Sequence, residues 1–316
     1  MTAATVEAIT VAPLASIDIG TNTIRLLVAS PITTGGALDL TTLASRTATV
    51  RLGYGVERTG QLDPERLARA VATVEEYRRV ALDHGATTIF LAATSAVRDA
   101  RNGPELRERI AATSGLTVEI IGGEREAALT FAGATLGQAL DGTLLVADLG
   151  GGSLELIAAR DGALLSAASL QLGSGRLTER HIHSDPPVRA MIAAAAADAR
   201  ALLEPQATAT PPVDRVIVVG GTAQSIPVLV PRPNELKTLN LRRLEGAVAV
   251  LTGTPVAELA IETGLDPERV RTLPAGVAII RALLAAYGLD AALIGTGGLR
   301  EGLILDHLRR APRGAA

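Results

Sequence analysis

The sequence predicts an α/β fold of two similar domains with a ligand cleft between them. Two segments, 17–28 and 146–157, each combine an apolar strand, an aspartate, a turn of glycine and small polar residues, and a second apolar strand. Each segment opens about half of the chain, and in both halves a third strand and then alternating helices and strands follow. A repeated order of elements predicts a repeated domain, and ligand pockets form preferentially where domains meet.

Composition limits both the fold and the partners. A chain of 316 residues is expected to form two domains, and its 47% hydrophobic content is enough for two cores although only 2% of the residues are aromatic. The formal net charge is −3 and no dense run of Lys or Arg occurs, which argues against duplex nucleic acid as a partner.

Two absences in the sequence narrow the function further. Cysteine is missing, which excludes disulfides, thiolate metal sites and cysteine nucleophiles and fits a reducing cytoplasm. No uninterrupted apolar stretch approaches the ~20 residues of a membrane span. We therefore expect a cytoplasmic protein without membrane association.

The second hairpin carries residues suited to phosphate chemistry. Gly150, Gly151 and Gly152 would let the backbone adopt positive φ and bring its N–H groups close to an anion. Asp148 before the turn and Glu155 after it could hold a hard cation such as Mg²⁺ or orient a water. The alternative is a tight hairpin with no ligand.

The first hairpin repeats this arrangement. Asp18, Gly20 and Thr23 stand where the second hairpin has its aspartate, first glycine and Ser153. We therefore expect the two turns to form a clamp across the cleft.

The remaining elements of the first half follow in order. Asp63 and Pro64 predict the start of a helix that ends at Gly85, because aspartate caps a helix and proline suits its first position. The other predictions are strands over 38–51, 87–92 and 116–121, a polar loop over 94–102, and helices over 104–113 and 124–136.

The second half repeats much of this order. It predicts strands within 144–170, a helix over 187–203, a surface connection over 204–212, a strand over 215–219, a loop with Pro227, Pro231 and Pro233, helices within 244–252 and 255–263 and from 267, an apolar helix after Pro274, a strand over 292–295 and a final helix.

Familiar nucleotide-binding motifs are absent. Glu155 stands where a dinucleotide-binding fingerprint needs glycine, and the single lysine, Lys237, does not follow a glycine as a P-loop requires. No Gly-x-Ser-x-Gly elbow occurs either.

Two further side chains are candidates for the cleft. Arg98 could bind a phosphate through its planar guanidinium, or it could be an ordinary surface charge. Glu126 lies at the crossover between the halves, so it would face the glycine turn if the halves close and could act as a general base on water. Nearby Glu124 is explained as a favourable partner of the helix dipole.

Six short motifs together resemble the exopolyphosphatase and guanosine pentaphosphate phosphatase (Ppx/GppA) family in its short two-domain form. They lie at 17–23, 93–98, 120–127, 148–155, 221–222 and 299–302. The superfamily also includes acetate and sugar kinases, heat-shock chaperone ATPases and actin. The resemblance therefore implies two actin-like, ribonuclease H-like domains, with domain I at 14–127 joined by the C-terminal helix 300–312, and domain II at 128–299.

The resemblance also implies a hydrolase that releases a terminal phosphate from a phosphoanhydride, with Mg²⁺ or Mn²⁺ as cofactor. Glu126 would activate the attacking water, with Asp148 and Glu155 as catalytic partners. Asp18, Asp148 and Glu155 would hold the metal. The implied phosphate contacts are Asn22, Thr23, Arg98, Gly150, Gly151, Gly152 and Ser153.

Substrate and partners are expectations of the same resemblance. The short length favours short polyphosphate chains, with guanosine pentaphosphate as the alternative substrate and a homodimer as the expected assembly. Gly122 and Ala128 depart from the family pattern, and the missing arginine at 128 could weaken phosphate binding unless Arg125 compensates. A non-catalytic actin-like sensor of a phosphorylated ligand is the alternative from another class, and a sugar kinase ranks third.

Overall fold

Two mixed β-sheets organise the chain in the computed structural model, which describes residues 12–34, 37–232 and 237–310. The first sheet has the strand order β3-β2-β1-β4-β5. Its strands are β1 (Leu14–Ile19), β2 (Thr23–Thr34), β3 (Ala37–Thr49), β4 (Thr88–Ala93) and β5 (Glu119–Ile120). β2 pairs antiparallel with both β1 and β3, whereas β4 pairs in parallel with β1 and β5 in parallel with β4.

The second sheet repeats this topology. Its order is β10-β11-β9-β6-β7-β8, with β6–β8 antiparallel and β9 and β11 added in parallel. The strands are β6 (Thr143–Leu149), β7 (Leu154–Arg160), β8 (Ala163–Leu170), β9 (Arg215–Val219), β10 (Thr238–Asn240) and β11 (Ala291–Ile294). The short edge strand β10 has no counterpart in the first sheet, and the repeat predicted from the sequence is otherwise present.

Helices connect the strands and cover the sheets. They are α1 (Val56–Thr59), α2 (Pro64–Asp83), α3 (Ser95–Asp99), α4 (Gly103–Ser114), α5 (Gly123–Ala134), α6 (Ser174–His181), α7 (Arg189–Ala209), α8 (Gly221–Leu229), α9 (Leu241–Gly253), α10 (Val256–Thr263), α11 (Pro267–Tyr287) and α12 (Leu299–Arg310). Asp63 caps α2 as predicted, since its side chain accepts a hydrogen bond from the Arg66 N–H at 3.0 Å.

Several predicted breaks are helical in the structure. α7 continues through Pro205, where the sequence predicted a surface connection, and α8 contains Pro227, where it predicted a loop. α11 runs through Pro274, where the sequence predicted the start of a new helix. Proline removes one backbone hydrogen bond from a helix. Burial of the surrounding residues compensates at Pro227 and at Pro274, which is itself buried, whereas Pro205 lies exposed near the end of α7. The predicted loop 94–102 contains the short helix α3. Pro233 lies outside the described residues.

α11 is the core helix of the second half. Among the described helices it alone is long and apolar enough to cross a membrane by length and composition, yet 72% of its most apolar window is buried within the fold. It packs against α6, α7, α8, α9 and α10. Its apolar character is therefore explained by neighbours within the chain.

α5 and α12 join the two halves. α5 lies between the last strand of the first sheet and the first strand of the second, and the predicted domain boundary at 127 falls inside it. α12 returns to pack on α5, β1 and β2. Glycines at the α5–α12 contact bring the backbones together, because a Cβ on Gly302 would overlap the Leu129 carbonyl. The domain limits stay a prediction, and residues 311 and 312 of the predicted final helix lie outside the described chain.

This close approach makes Gly302 sensitive to substitution. Gly302→Ala should lower the free energy of unfolding by about 1–3 kcal/mol, because the added methyl overpacks a backbone contact that cannot yield. Gly253→Ala is the matched control, since a methyl group added there, at the end of α9, would have no neighbouring atom within 4 Å. Chemical denaturation of both variants measures the difference, and equal stabilities would contradict the packing argument.

Candidate active site

The turns of the two hairpins meet at the junction of the halves. Both turns close with the same backbone hydrogen bond, from Gly20 N–H to the Thr23 carbonyl and from Gly150 N–H to the Ser153 carbonyl, each at 3.0 Å. The sequence repeat is thus a repeat of turn geometry.

The glycines of the second turn allow its backbone to lie close to the first turn. The prediction that they adopt positive φ is wrong. Gly150, Gly151 and Gly152 are not among the residues with positive φ. A Cβ on Gly151 would lie 2.6 Å from Asn22 Cγ, and one on Gly152 would lie 2.5 Å from Thr21 Oγ1. Any side chain there would therefore force the two turns apart.

A small cavity of about 60 Å³, called here the inner cavity, lies between these turns. The predicted site residues that line it are Asp18, Asn22, Thr23, Glu126, Asp148, Gly150, Gly151, Gly152, Ser153 and Glu155. Thr21 and Ser95 add hydroxyls that share a hydrogen bond of 2.9 Å. The structure thus brings together every predicted site residue except Arg98.

Strand register gives the two halves opposite charges at equivalent positions. Asp148 pairs across the strands with Glu155, and Asp18 pairs in the same way with Arg25. Sequence analysis missed Arg25, although the signal was present: it follows its aspartate by the same number of residues as Glu155 follows Asp148.

Asp18 and Asp148 are half-buried residues, and the Asp148 charge affects the carboxylate of Asp18. Burial raises the pKa of Asp18 from its ordinary 3.8 to about 6; the Arg25 guanidinium opposes this shift and the Asp148 carboxylate adds to it. Burial also raises the pKa of Asp148, which accepts a long hydrogen bond of 3.4 Å from Thr130. Asp18 Oδ1 is buried without a hydrogen-bond partner.

Glu155 is held by hydroxyl groups. It is 1% exposed, and Ser169 on β8, directly opposite in register, donates a hydrogen bond of 2.9 Å to its Oε1. Burial, and next the Asp148 charge, raises the pKa of Glu155, while the Ser169 and Ser153 hydroxyls oppose the shift. Its carboxylate is therefore fixed in direction before any ligand binds.

Glu126 lies in the first turn of α5 and is 5% exposed. Arg98 donates to its Oε2 at 3.0 Å and to the Ile121 carbonyl at 3.0 Å. Arg98 was predicted to contact phosphate, but its guanidinium instead contacts these groups and Asp99, and it does not line the inner cavity. Burial and then the Glu155 charge raise the pKa of Glu126, and Arg98 offsets only part of the rise.

Two arginines supply positive charge to the inner cavity. Arg25 donates to Thr23 Oγ1 at 3.2 Å, and Arg269 enters from the first turn of α11. Burial and the nearby Arg25 charge lower the pKa of Arg269 to about 10, so it remains a cation at neutral pH. In the described part of the chain no carboxylate forms an ion pair with Arg269, and Gly221 leaves room for its guanidinium. No sequence signal distinguished Arg269 from an ordinary helix start.

The cavity offers carboxylate ligands for a hard cation but no complete ligand set. Asp18 and Asp148 offer oxygen donors, and one oxygen of Asp18 is unsatisfied. Within residues 12–34, 37–232 and 237–310, no three His, Cys, Asp or Glu side chains form a group that could hold a metal, so Asp18, Asp148 and Glu155 are not a preformed three-ligand site. Mg²⁺ commonly takes one or two carboxylates and completes its shell with water and substrate phosphates, which this set allows.

Comparison with known proteins identifies the family. The model of the Ppx/GppA phosphatase family matches residues 31–311. The chain belongs to this family. Exopolyphosphatase 1 of Mycobacterium tuberculosis is 32% identical over 318 residues, covering 96% of this chain and 90% of that protein. The crystal structure of an exopolyphosphatase from Cytophaga hutchinsonii has a TM-score of 0.84 at 25% identity, covering 94% of this chain and 98% of that one.

A further relative carries another name. The guanosine-5'-triphosphate,3'-diphosphate pyrophosphatase of Aeromonas hydrophila is 29% identical over 294 residues; the match covers 92% of this chain but 58% of that protein. The family predicted from the sequence motifs, the two-domain α/β fold class and the class of enzyme, a phosphatase-type hydrolase, are confirmed.

The raised pKa of Asp18 makes a testable prediction about stability. A carboxyl whose folded pKa lies above its unfolded value stabilises the fold below pH 3.8 and loses this contribution as pH rises to about 6. Asp18→Asn cannot ionise, so its free energy of unfolding relative to the wild type should increase across this window by on the order of 3 kcal/mol.

Denaturant titrations in EDTA at both ends of that window measure the effect. Asp83→Asn, at an exposed position at the end of α2, is the control and should show no comparable change. Parallel pH curves for Asp18→Asn and the wild type would contradict the burial argument.

Proposed function

We propose that this protein releases terminal orthophosphate from inorganic polyphosphate by attack of a water that Glu126 activates. The observation that carries the proposal is a buried glutamate in the same small cavity as two phosphate-type turns and two arginines. Phosphoryl transfer needs mainly positioning and charge neutralisation, and these groups are suited to supply both.

Glu126 is the proposed general base in the cavity. Arg98 fixes the direction of its carboxylate and favours its charged form, which is the form that can accept a proton from water. Water would attack the terminal phosphorus and give its proton to Glu126, while the bridging P–O bond breaks and its electron pair leaves with the shortened chain. Asp148 and Glu155 border the same cavity and are proposed to orient this water.

Arginines and hairpin turns would hold the terminal phosphate. Arg25 and Arg269 offer positive charge, and Asn22, Thr23, Ser153 and the backbone of the glycine turn offer hydrogen bonds. Mg²⁺, when bound, would act as a Lewis acid toward the phosphate oxygens, and Asp18 and Asp148 would hold it. In this scheme Arg98 orients the Glu126 carboxylate and is not assigned as a phosphate contact.

The size of the inner cavity favours release from a chain end. At about 60 Å³ the inner cavity is small, which favours a terminal group of an extended substrate between the turns rather than an inner part of the chain. Polyphosphate is the preferred substrate because the relatives named exopolyphosphatase match nearly end to end, whereas the guanosine-named relative is much longer than the match. Guanosine pentaphosphate is the second candidate because that relative still matches 92% of this chain. A cytoplasmic location and a homodimer stay predictions.

Replacing the proposed base should abolish turnover. Glu126→Gln should lower kcat for phosphate release by about 10²- to 10⁴-fold, because the amide cannot accept the proton of water. Glu124→Gln, an exposed position in the same helical turn, should keep wild-type activity. Circular dichroism checks that both variants fold, and full activity in the Glu126 variant would disprove the mechanism.

A panel of substrates tests the activity itself. Phosphate release from tripolyphosphate, long-chain polyphosphate and guanosine pentaphosphate should favour polyphosphate, and EDTA should stop it until Mg²⁺ is restored in excess. Preference for guanosine pentaphosphate would replace the proposed substrate by the alternative. Saturable binding with no release from any member of the panel would instead support a non-catalytic sensor.

A further inference from the structure

Beside the inner cavity lies a much larger space, called here the outer cavity. It has a volume of about 580 Å³ and is lined by the segment 51–58 of the first half and by α6 and the first turn of α11 from the second. A narrow cavity of about 20 Å³ separates the two. It shares Thr21 and Gly152 with the inner cavity and Glu57 and Glu179 with the outer one. The three spaces thus follow one another from the phosphate turns toward the surface.

Arginines outnumber glutamates in the lining of the outer cavity. Two of its three glutamates have partners that fix the chain: Glu268 pairs with Arg51 at 2.8 Å, and Glu179 accepts the Gly55 N–H at 3.2 Å. The third, Glu57, reaches across from the first half to arginines of α6. It is the carboxylate that a competing anion would displace with least loss of structure.

Glu57 stands between the outer cavity and the phosphate turn. Its Oε2 lies 3.5 Å from Arg176 Nη1, and its Oε1 pairs with Arg180. Arg176 in turn donates through Nε to the Gly152 carbonyl at 3.0 Å. The guanidinium of Arg176 therefore contacts the glycine turn on one side and the Glu57 carboxylate on the other. The inner phosphates of a chain whose end is bound at the turn would pass this second side.

A nucleobase fits the outer cavity less well than a phosphate chain. Its lining contains two rings, those of Tyr54 and His183, and the Tyr54 ring is already in contact with the guanidinium groups of Arg51, at 4.5 Å from the ring centre, and Arg66, at 4.9 Å. A base stacking on Tyr54 would compete with these guanidinium groups, whereas a phosphate would be attracted to them.

We propose that the outer cavity binds the inner phosphates of a polyphosphate chain and that Glu57 occupies, in the free protein, the position of one such phosphate on Arg176 and Arg180. The proposal rests on the proposed function for the identity of the chain. Glu57 is 39% exposed and Arg180 42%, and ion pairs at such exposure are worth little. A phosphate chain can therefore replace Glu57 at small cost, and only a chain long enough to reach the outer cavity does so.

Removing the competing carboxylate tests this directly. Binding is measured by calorimetry in the Glu126→Gln background, which separates affinity from turnover, with inorganic tripolyphosphate and long-chain polyphosphate as probes. Adding Glu57→Gln should tighten long-chain binding by about three- to fivefold and leave tripolyphosphate binding unchanged. Arg180→Gln should weaken long-chain binding and reduce the gain from Glu57→Gln.

Glu108→Gln is the charge-matched control. Glu108 is exposed on α4 and lines neither cavity, so its variant should bind both probes as the parent does. Equal gains from Glu57→Gln and Glu108→Gln, a loss of long-chain affinity in Glu57→Gln, or an equal gain for tripolyphosphate would each overturn the proposal. If the wild type releases no phosphate from polyphosphate while Glu57→Gln still binds long chains more tightly, the proposed function fails and the outer cavity assignment stands.

Discussion

The contact between the two hairpin turns is the constraint on which the site depends. Asn22 packs against Gly151, and Thr21 packs against Gly152, at distances that no side chain in place of the glycines would allow. This contact sets the separation of Asp18 and Asp148. It also keeps the inner cavity between the turns small, at about 60 Å³. The chemistry of the site follows from backbone proximity more than from any single functional side chain.

That proximity places carboxylates together at a cost in stability. Asp18, Asp148, Glu126 and Glu155 all have raised pKa values because they are buried and because several repel one another. A fold optimised for stability alone would neutralise this cluster with paired charges. Here the nearby arginines offset only part of the repulsion, which leaves a site that gains from binding a cation and a phosphate together.

Local patterns predicted much of this arrangement. The hairpins, the order of strands and helices along each half and the position of Glu126 at the crossover follow from alternation, glycine turns and the repeat itself. Contacts between distant segments were not predictable: Arg269 enters the cavity from a helix start with no motif, and Arg98 pairs with Glu126 across a loop. The helix through Pro274 was missed because burial, which the sequence does not display, outweighs the local penalty of proline. Pro205 lies exposed near the end of α7.

The return of α12 to the first sheet has a consequence for how the protein is made. Ile304 of this final helix completes an apolar cluster with Leu14 and Leu27, and Leu303 completes another with Ala92 and Leu129. The first half leaves the ribosome early, yet one face of its sheet stays uncovered until the last helix has been synthesised. The second half, by contrast, draws its core from contiguous chain. The first half therefore completes its core only when α12 packs on it, after the last strand of the second sheet has been made.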